Sequence, residues 1–257
     1  MKIKIKSLLK KKGKQKIVCL TAYSKSISKL IDKYCDIVLV GDSLANVLYG
    51  MKSTQDLDLK TIIGHANSVK KGLKKSLLVV DMPKKSYLDS NRAVKNAKLI
   101  MKQTKCDAVK IENNLKNQHI LKAIVKAKIP VMGHIGFTPQ FKNKFKVEGK
   151  SLNEKKKLID EAIKIEKLGA FAIVLECITE KTSKEISQIL RIPTIGIGSS
   201  SACDGQILVT DDLLGLSGFY PKFVKKYTNL EKIIVKAVKN YSNDVLLKKF
   251  PSKKNSY

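Results

Sequence analysis

Arginine is almost absent from this sequence. Arg92 and Arg191 are the only two arginines, although lysine and arginine together number 51 and the formal net charge at pH 7 is +29. A surface built to recognise nucleic acid more often uses arginine, because its planar guanidinium contacts phosphates and guanine bases through paired hydrogen bonds. The lysines are therefore interpreted as solvated helix faces that attract anionic ligands, and no specific nucleic-acid partner is expected. A lysine-rich RNA-associated protein is the alternative outside the enzymes.

The sequence also lacks the cysteine spacings of zinc sites and disulfide frameworks. Its five cysteines are odd in number, scattered and without a Cys-x-x-Cys pair, which favours a reducing compartment and predicts a cytoplasmic protein. No apolar run approaches the roughly 20 residues that a membrane-spanning helix needs, so no membrane association is expected. The first 16 residues are basic and lack the apolar stretch of a secretory signal.

Eight apolar runs of strand length recur along the chain, and segments with helical spacing separate them. We predict strands at residues 17–21, 37–40, 77–80, 108–111, 130–136, 172–176, 194–197 and 206–209. The alternation indicates parallel β-α units, and eight of them in this length favour an α/β fold, a closed (β/α)8 TIM-type barrel with added terminal helices. We expect a single domain over residues 1–257 whose Lys-rich ends can be flexible.

Polar or charged residues close five of these runs. They are Asp42 with Ser43, Asp81, Lys110 with Glu112, His134, and Glu176. The C-terminal ends of the strands carry the active site in (β/α)8 barrels, so these side chains are expected to converge. The long connections at residues 44–60 and 137–150 are predicted to be active-site lids.

Asp42 and Asp81 end adjacent predicted strands, which indicates a metal site. At an effective dielectric constant of 20, two like charges about 4 Å apart repel by roughly 4 kcal/mol, so a cation is expected between them. Mg²⁺ typically uses one or two protein carboxylates together with substrate and water oxygens. Glu112 is a candidate third ligand, direct or through water. The alternative for either aspartate alone is a helix cap or a lysine partner.

The remaining strand ends offer groups for substrate binding and proton transfer. Lys110 and Glu112 are two residues apart and so share one face of their strand, where Lys110 could pair with a substrate carboxylate or form a Schiff base. His134 is a candidate hydrogen-bond donor to the substrate. Glu176 follows three aliphatic residues, and low hydration there would raise its pKa toward that of a general base. The alternatives are a structural Lys–Glu pair, a core histidine and a paired glutamate.

Several long motifs in fixed order resemble the ketopantoate hydroxymethyltransferase family, over about residues 17–220. The motifs are Leu20-Thr21-Ala22-Tyr23, Val40-Gly41-Asp42-Ser43-Leu44, Val109-Lys110-Ile111-Glu112, Gly133-His134-Ile135-Gly136-Phe137-Thr138-Pro139-Gln140, Val174-Leu175-Glu176-Cys177, Ile195-Gly196-Ile197-Gly198 and Cys203-Asp204-Gly205-Gln206-Ile207-Leu208-Val209.

The resemblance implies an Mg²⁺-dependent transfer of a hydroxymethyl group in pantothenate biosynthesis. The donor would be 5,10-methylenetetrahydrofolate and the acceptor 3-methyl-2-oxobutanoate, which gives 2-dehydropantoate through a metal-stabilised enolate. It further implies a homo-oligomer, a decamer in this family. By position, the resemblance assigns the metal to Asp42, Asp81 and Glu112, the 2-oxoacid to Asp42, Ser43, Asp81 and Lys110, and the proton acceptor to Glu176.

The sequence departs from the family pattern on the side expected to face the folate. Asn113-Asn114 stand where glycines are usual, and Lys84-Lys85 stand where an apolar pair is usual. A second enzyme alternative is another Mg²⁺-dependent C–C lyase or phosphomutase on a related barrel. A serine esterase is disfavoured, although Gly41-Asp42-Ser43-Leu44 spells a hydrolase motif, because that class needs a histidine near the C-terminus and the last histidine is His134.

Overall fold

A computed structural model describes residues 3–114, 116–142, 144–218 and 220–257, and it divides the chain into two units at Val209 and Thr210. The first unit contains a closed barrel of parallel strands in chain order. Its strands in the described residues are β1 (Ile17–Thr21), β2 (Ile37–Val40), β3 (Leu77–Asp81), β4 (Ala108–Lys110), β5 (Val131–Gly136), β6 (Ala172–Glu176), β7 (Thr194–Ile197) and β8 (Gly205–Leu208). The barrel closes where Ile17 of β1 pairs with Gly205 of β8. The predicted (β/α)8 fold class is confirmed.

All eight predicted strands are present, and their bounds differ from the prediction by no more than one residue. Strands of a parallel barrel are buried on both faces, so they appear in the sequence as short continuous apolar runs. The helices of the described residues are α1 (Ile3–Leu9), α2 (Lys25–Ile31), α3 (Leu44–Val47), α4 (Leu59–Lys70), α5 (Ser90–Thr104), α6 (Gln118–Lys126), α7 (Leu152–Lys167), α8 (Glu180–Ile189), α9 (Thr210–Leu214) and α10 (Leu230–Leu246).

Side-chain caps set the starts of the helices that surround the barrel. The side chains of Ser24, Asp58, Asp89 and Ser151 each accept a hydrogen bond from a backbone N–H in the first turn of α2, α4, α5 and α7. Each cap satisfies one of the N–H groups that the first turn of a helix leaves unpaired. The connection from β7 to β8, which the structure describes in full, contains turns and no helix.

The strand residues divide into two apolar layers by alternation. On β2, Ile37 and Leu39 join a cluster to which all eight strands contribute, which is the barrel interior, whereas Val38 and Val40 pack in the larger cluster with the surrounding helices. A period of two residues is the geometry of any β-strand. A strand residue that lies an even number of positions from an interior residue therefore has its side chain on the same face, toward the barrel axis.

The amino end of the barrel is closed by α1, a helix that the sequence did not predict. Ile5 and Leu8 of α1 are buried in the interior cluster, with exposures of 0% and 4%. Alternating lysines conceal this short apolar face in the sequence, and packing on the barrel decides its structure. The sequence allowed flexible Lys-rich ends, but residues 3–9 form this packed helix.

The second unit, Thr210–Tyr257, contains α9 and α10. None of the residues of α10 is buried, and its exposed large apolar side chains include Ile233, Val238 and Tyr241. The prediction of one domain over residues 1–257 is not decided by this division and stays a prediction. No helix in the described ranges is long and apolar enough to span a membrane.

Candidate active site

The carboxyl ends of β3 to β6 place charged side chains above the apolar layers of the barrel. Asp81 follows the interior residue Val79 by two positions, and Lys110 follows Ala108 in the same way. His134 and Glu176 stand two residues after Met132 and Val174. The same alternation that fills the barrel interior therefore directs these polar groups to its mouth.

Asp42 reaches the site by a different route. The interior position at the end of β2 is occupied by Gly41, and a Cβ there would lie 3.0 Å from Ser43 Oγ and 3.5 Å from Asp81 Oδ2. The missing side chain allows the next residue to approach, and the backbone N–H of Asp42 donates to Asp81 Oδ2 at 3.0 Å. Asp42 and Asp81 are adjacent, as the sequence predicted, and their exposures are 7% and 2%.

Lys110 forms a buried ion pair with Asp81. Its ammonium lies 2.7 Å from Asp81 Oδ1. Burial raises the pKa of Asp81 to about 6, with a further increase from the charge of Asp42, while Lys110 acts in the opposite direction. For Lys110, burial favours the neutral amine, but the surrounding carboxylates outweigh it and raise the pKa of the ammonium. Lys110 is therefore a fixed positive charge, which disfavours the Schiff-base alternative because that chemistry needs a neutral amine.

His134 lies between two carboxylates. Its Nδ1 is 3.9 Å from Glu112 Oε1, and its Nε2 is 3.3 Å from Glu176 Oε2. Burial raises the pKa of Glu112 well above its usual value and raises that of Glu176 to about 8. Burial also holds the pKa of His134 well below its usual value, so the ring is neutral near pH 7. A neutral imidazole beside a weakly acidic carboxyl group is suited to holding or moving one proton.

Ser43 lies in the connection after β2, and its hydroxyl contacts an aromatic side chain. Its Oγ lies 2.9 Å from the hydroxyl of Tyr23, and either oxygen could be the donor. Ser43 is half-buried and Tyr23 is buried. A serine with this partner can bind a polar ligand, and no described contact links it to His134 as a nucleophilic pair would require.

Gln140 is a central residue of the mouth that the sequence analysis did not single out. Its backbone N–H donates to Glu112 Oε2 at 3.0 Å, and its side-chain amide donates to Asp42 Oδ2 at 2.9 Å. Tyr87 donates its hydroxyl hydrogen bond to Gln140 Oε1. Gln140 lies in the long connection after β5, where no periodicity predicts side-chain direction. Its only signal in the sequence was its place at the end of one of the quoted motifs.

The two predicted lids meet over the mouth, apart from residue 143, which lies outside the described residues. Gln55 of the first connection donates to the carbonyl of Pro139 in the second at 3.2 Å. Lys84 donates to Gln55 Oε1 at 2.8 Å, and Lys85 lies 3.1 Å from Asp56 Oδ1. The unusual lysine pair therefore anchors the rim of the site.

The segment after β7 has a structural role. The hydroxyl of Ser199 donates to the carbonyl of Leu175 at 2.7 Å and accepts from the N–H of Ile178 at 3.3 Å. These bonds tie the end of β7 to the end of β6. Ser199 and Ser201 also line a surface crevice with Gln206.

The mouth has the composition of a site for a divalent cation. Asp42, Asp81, Glu112 and Glu176 contribute four carboxyl groups, and in the described contacts Lys110 forms an ion pair with one of them, Asp81. No group of three His, Cys, Asp or Glu side chains in the described part of the chain is arranged to hold a metal by itself. Two adjacent aspartates with water and substrate oxygens fit Mg²⁺, which rarely uses an all-protein cage.

Comparisons with known proteins give sequence relatives of one family and more distant structures of the same fold. The family model for ketopantoate hydroxymethyltransferase matches residues 2–253. The chain is 50% identical to the 3-methyl-2-oxobutanoate hydroxymethyltransferase of Pelagibacter ubique (strain HTCC1062) over 257 residues, which covers 100% of both chains.

Solved structures with the same fold are more distant in sequence. The phosphoenolpyruvate phosphomutase from Streptomyces platensis subsp. rosaceus has a TM-score of 0.65 at 11% identity and covers 94% of this chain and 86% of its own. A phosphonopyruvate hydrolase in complex with oxalate and Mg²⁺ has a TM-score of 0.58 at 13% identity and covers 98% and 93%. Identities this low indicate the fold alone.

Proposed function

The chain belongs to the ketopantoate hydroxymethyltransferase family, and from that membership we propose a reaction in which each strand-end residue has a defined role. The protein is an enzyme of the 3-methyl-2-oxobutanoate hydroxymethyltransferase type. The proposed reaction takes a one-carbon unit from 5,10-methylenetetrahydrofolate, with water, and joins it to C3 of 3-methyl-2-oxobutanoate. The products are 2-dehydropantoate and tetrahydrofolate. The observation that carries the proposal is a partly buried carboxyl group with a raised pKa, Glu176, in the same barrel mouth as the buried Lys110–Asp81 pair.

The 2-oxoacid would bind beside Lys110. The ammonium is buried and fixed in its charged form, so it can attract the carboxylate of the substrate in a region of low hydration. Ser43 supplies a hydroxyl at the end of β2, and Asp42 and Asp81 complete this side of the site. His134, on β5 beside the strand of Lys110, is a candidate donor to the substrate through whichever ring nitrogen carries its proton.

Glu176 is the proposed proton acceptor at C3. Its pKa of about 8 results first from burial, and a base with a pKa near the working pH accepts a proton without being fully protonated beforehand. The neighbouring His134 Nε2 at 3.3 Å limits the positions that the carboxyl group can take. The carbanionic C3 that results then attacks the one-carbon unit.

Asp42 and Asp81 are the proposed Mg²⁺ ligands, with Glu112 in or near the coordination shell. The phosphonopyruvate hydrolase of the same fold was solved with Mg²⁺ and oxalate, which is a small dicarboxylate. A bound Mg²⁺ would stabilise negative charge on the ketone oxygen of the substrate by several kcal/mol. In the protein itself, Lys110 and the amide of Gln140 hold the two aspartates in place.

The comparisons favour this reaction over the other barrel chemistries. The likeness to the phosphomutase is one of fold at 11% identity, whereas the hydroxymethyltransferase of Pelagibacter ubique is similar along the full length. The RNA-associated alternative draws only on the net charge of +29. It predicts tight RNA binding at physiological salt, which a filter-binding titration would detect.

A homo-oligomer in the cytoplasm is part of the same proposal. Exposed apolar side chains along α10, among them Ile233 and Leu246, favour burial against another copy of the chain. The five cysteines are buried and form no disulfide, which supports a reducing compartment. Light scattering coupled to size exclusion would give the number of subunits, for which the family resemblance suggests ten.

The central test supplies the purified protein with 3-methyl-2-oxobutanoate and 5,10-methylenetetrahydrofolate. Formation of 2-dehydropantoate that needs Mg²⁺ and stops with EDTA is the expected result. A folded protein that makes none in the presence of Mg²⁺ would overturn the proposal. Deuterium exchange at C3 without folate tests the first half of the reaction separately, because proton removal does not need the one-carbon donor.

A further inference from the structure

Gln140 has hydrogen-bond partners for its side-chain amide and its backbone N–H within the mouth of the barrel. The residue is 1% exposed, and its amide nitrogen donates to Asp42 Oδ2 at 2.9 Å and to the carbonyl of Met82 at 3.1 Å. Its amide oxygen accepts from Tyr87, and its backbone N–H donates to Glu112 Oε2 at 3.0 Å. A buried amide with this many partners has one orientation, which the partners determine.

The direction of the amide follows from the chemistry of those partners. The carboxylate of Asp42 and the carbonyl of Met82 are acceptors only, so the NH₂ group must face them. Tyr87 is buried at 2% exposure, and its phenol O–H donates to the amide oxygen. Rotation of the amide by 180° would place its oxygen against two acceptors.

Gln140 is held in this position from the barrel wall. Gly136 ends β5 with a φ of +95°, and a Cβ there would lie 2.1 Å from the carbonyl oxygen of Glu176, so only glycine fits. The next N–H, that of Phe137, donates to that same carbonyl at 2.8 Å. A turn follows, in which the N–H of Phe141 donates to the carbonyl of Thr138 at 2.9 Å. This anchored turn presents Gln140 to Asp42 and Glu112.

We propose that Gln140 is a positioning residue that orients Asp42 and Glu112, the carboxylates of two different strand ends, for the divalent cation. The inference rests on the proposed function, because it assumes that these carboxylates bind the cation. Each of the two carboxylates has one oxygen engaged by Gln140, Asp42 through Oδ2 and Glu112 through Oε2. Fixing one oxygen of a carboxylate restricts its rotation and directs the other oxygen. Partners of this kind typically change metal affinity about 10- to 100-fold.

The test compares three variants of the full-length enzyme. Gln140→Met keeps the length of the side chain and removes its three side-chain hydrogen bonds. Tyr87→Phe removes the bond to the amide oxygen and the contact of the phenol with the backbone N–H of Glu112, while the amide nitrogen still faces Asp42. Gln55→Met is the matched control, since Gln55 lies on the same rim and bonds to Pro139 and Lys84 rather than to a carboxylate of the site in the described contacts.

Binding of Mn²⁺, measured by electron paramagnetic resonance and calorimetry without substrates, is the main readout. We expect Gln140→Met to weaken Mn²⁺ binding about 10- to 100-fold, and Tyr87→Phe about fivefold, the effect of one hydrogen bond near 1 kcal/mol. Gln55→Met should bind as the wild type does. In turnover assays, the Mg²⁺ concentration that gives half-maximal rate should rise in Gln140→Met. The fold decrease in kcat at saturating Mg²⁺ should be smaller than the fold increase in that concentration.

The outcomes separate this inference from the proposed function. An active wild type together with a folded Gln140→Met that binds Mn²⁺ equally well would overturn the inference alone. If Gln140→Met does not fold, Tyr87→Phe decides the question, and unchanged Mn²⁺ affinity in that variant overturns the inference. A wild type that neither binds Mn²⁺ nor makes 2-dehydropantoate would overturn the proposed function and the inference with it.

Discussion

The carboxyl groups at the two ends of the barrel differ in what surrounds them. At the carboxyl end, burial raises the pKa of Asp81 to about 6 and that of Glu176 to about 8. At the amino end, Asp32 and Asp204 are also removed from water, but hydrogen bonds outweigh burial and lower the pKa of both. Carboxyl groups at the two ends of the same barrel thus have pKa values shifted in opposite directions.

The difference lies in the number of donors. Asp204 accepts from the ammonium of Lys12 at 2.7 Å, from the N–H of Thr194 at 2.8 Å and from the N–H of Gly13 at 3.0 Å. Asp32 accepts from the backbone N–H groups of residues 74–76. Glu176 has instead the edge of His134 at 3.3 Å. The carboxylates of the amino end are matched by several donors, whereas the described contacts give Glu176 no hydrogen-bond donor. Carboxyl groups with pKa values raised by burial at the carboxyl end of a barrel are typical of functional sites, and well-matched carboxylates at the amino end are typical of stability.

The largest expected effect is on the rate when the carboxylate of Glu176 is removed. Glu176→Gln should slow deuterium exchange at C3 of 3-methyl-2-oxobutanoate by about 10²- to 10⁴-fold, the usual contribution of a general base. The free energy of unfolding should not fall, because glutamine avoids the burial of an ionisable group. Proton NMR of the substrate in D₂O and urea denaturation are the two measurements. Exchange at the wild-type rate would show that another group removes the proton.

The second prediction is that a substitution at the amino end lowers stability and leaves turnover unchanged. Asp204→Asn should lower the free energy of unfolding by about 3 kcal/mol, because hydrogen bonds to a charged group each contribute roughly 1.5–3 kcal/mol and the ammonium of Lys12 loses its charged partner, keeping only the carbonyl of Ser187. Turnover per folded molecule should be unchanged, since Asp204 lies at the start of β8, away from the mouth. Urea denaturation at pH 7 measures the first quantity. Loss of turnover in a fully folded variant would contradict the division between the two ends.

The third prediction uses pH to separate the ends. The raised pKa of Glu176 means that the folded state binds a proton that the unfolded state releases near pH 4, so stability falls as the pH rises from about 4 to about 8, by at most about 1.4 kcal/mol per pH unit. The lowered pKa values of Asp32 and Asp204 act conversely. Their stabilisation is complete above about pH 4 and is lost as the pH falls through the folded values.

Urea denaturation between pH 3 and 9 in EDTA would resolve the two limbs. Glu176→Gln should reduce the loss of stability between about pH 4 and pH 8 and leave the loss at acid pH as in the wild type. Asp204→Asn should reduce the loss at acid pH and leave the loss toward pH 8 unchanged. A Glu176→Gln curve parallel to that of the wild type between pH 5 and 8 would mean that the carboxyl group is hydrated in solution.

The sequence predicted the carboxyl end of the barrel better than the amino end. Asp81 and Glu176 interrupt apolar runs and share the parity of the interior residues, so local pattern alone indicates where they are directed. Asp204 has no such signal, because its partners come from residues 12, 13 and 194, distant in the chain. Helix α1 escaped prediction for the same reason, since its apolar face has meaning only against the barrel.

The mouth itself was predictable only where strands control direction. Lys110 and Glu112 follow from alternation, but Gln140 depends on a turn that is set by Gly136 and by a hydrogen bond to the carbonyl of Glu176. Asp42 is an intermediate case. Its residue type marked it as a ligand, yet its approach to Asp81 depends on the glycine at the preceding interior position.

The smallest expected effect tests whether a lowered pKa alone indicates a stabilising carboxylate. A hydrogen bond from Lys146 and one from the N–H of Lys150 lower the pKa of Glu154 to about 2, in the same direction as for Asp204. The side chains of Lys146 and Glu154 are 56% and 29% exposed, however, so water and salt screen their ion pair. Glu154→Gln should therefore leave the urea midpoint and the turnover unchanged within error. A loss of stability as large as that of Asp204→Asn would mean that donor number, and not burial together with donors, distinguishes the amino end.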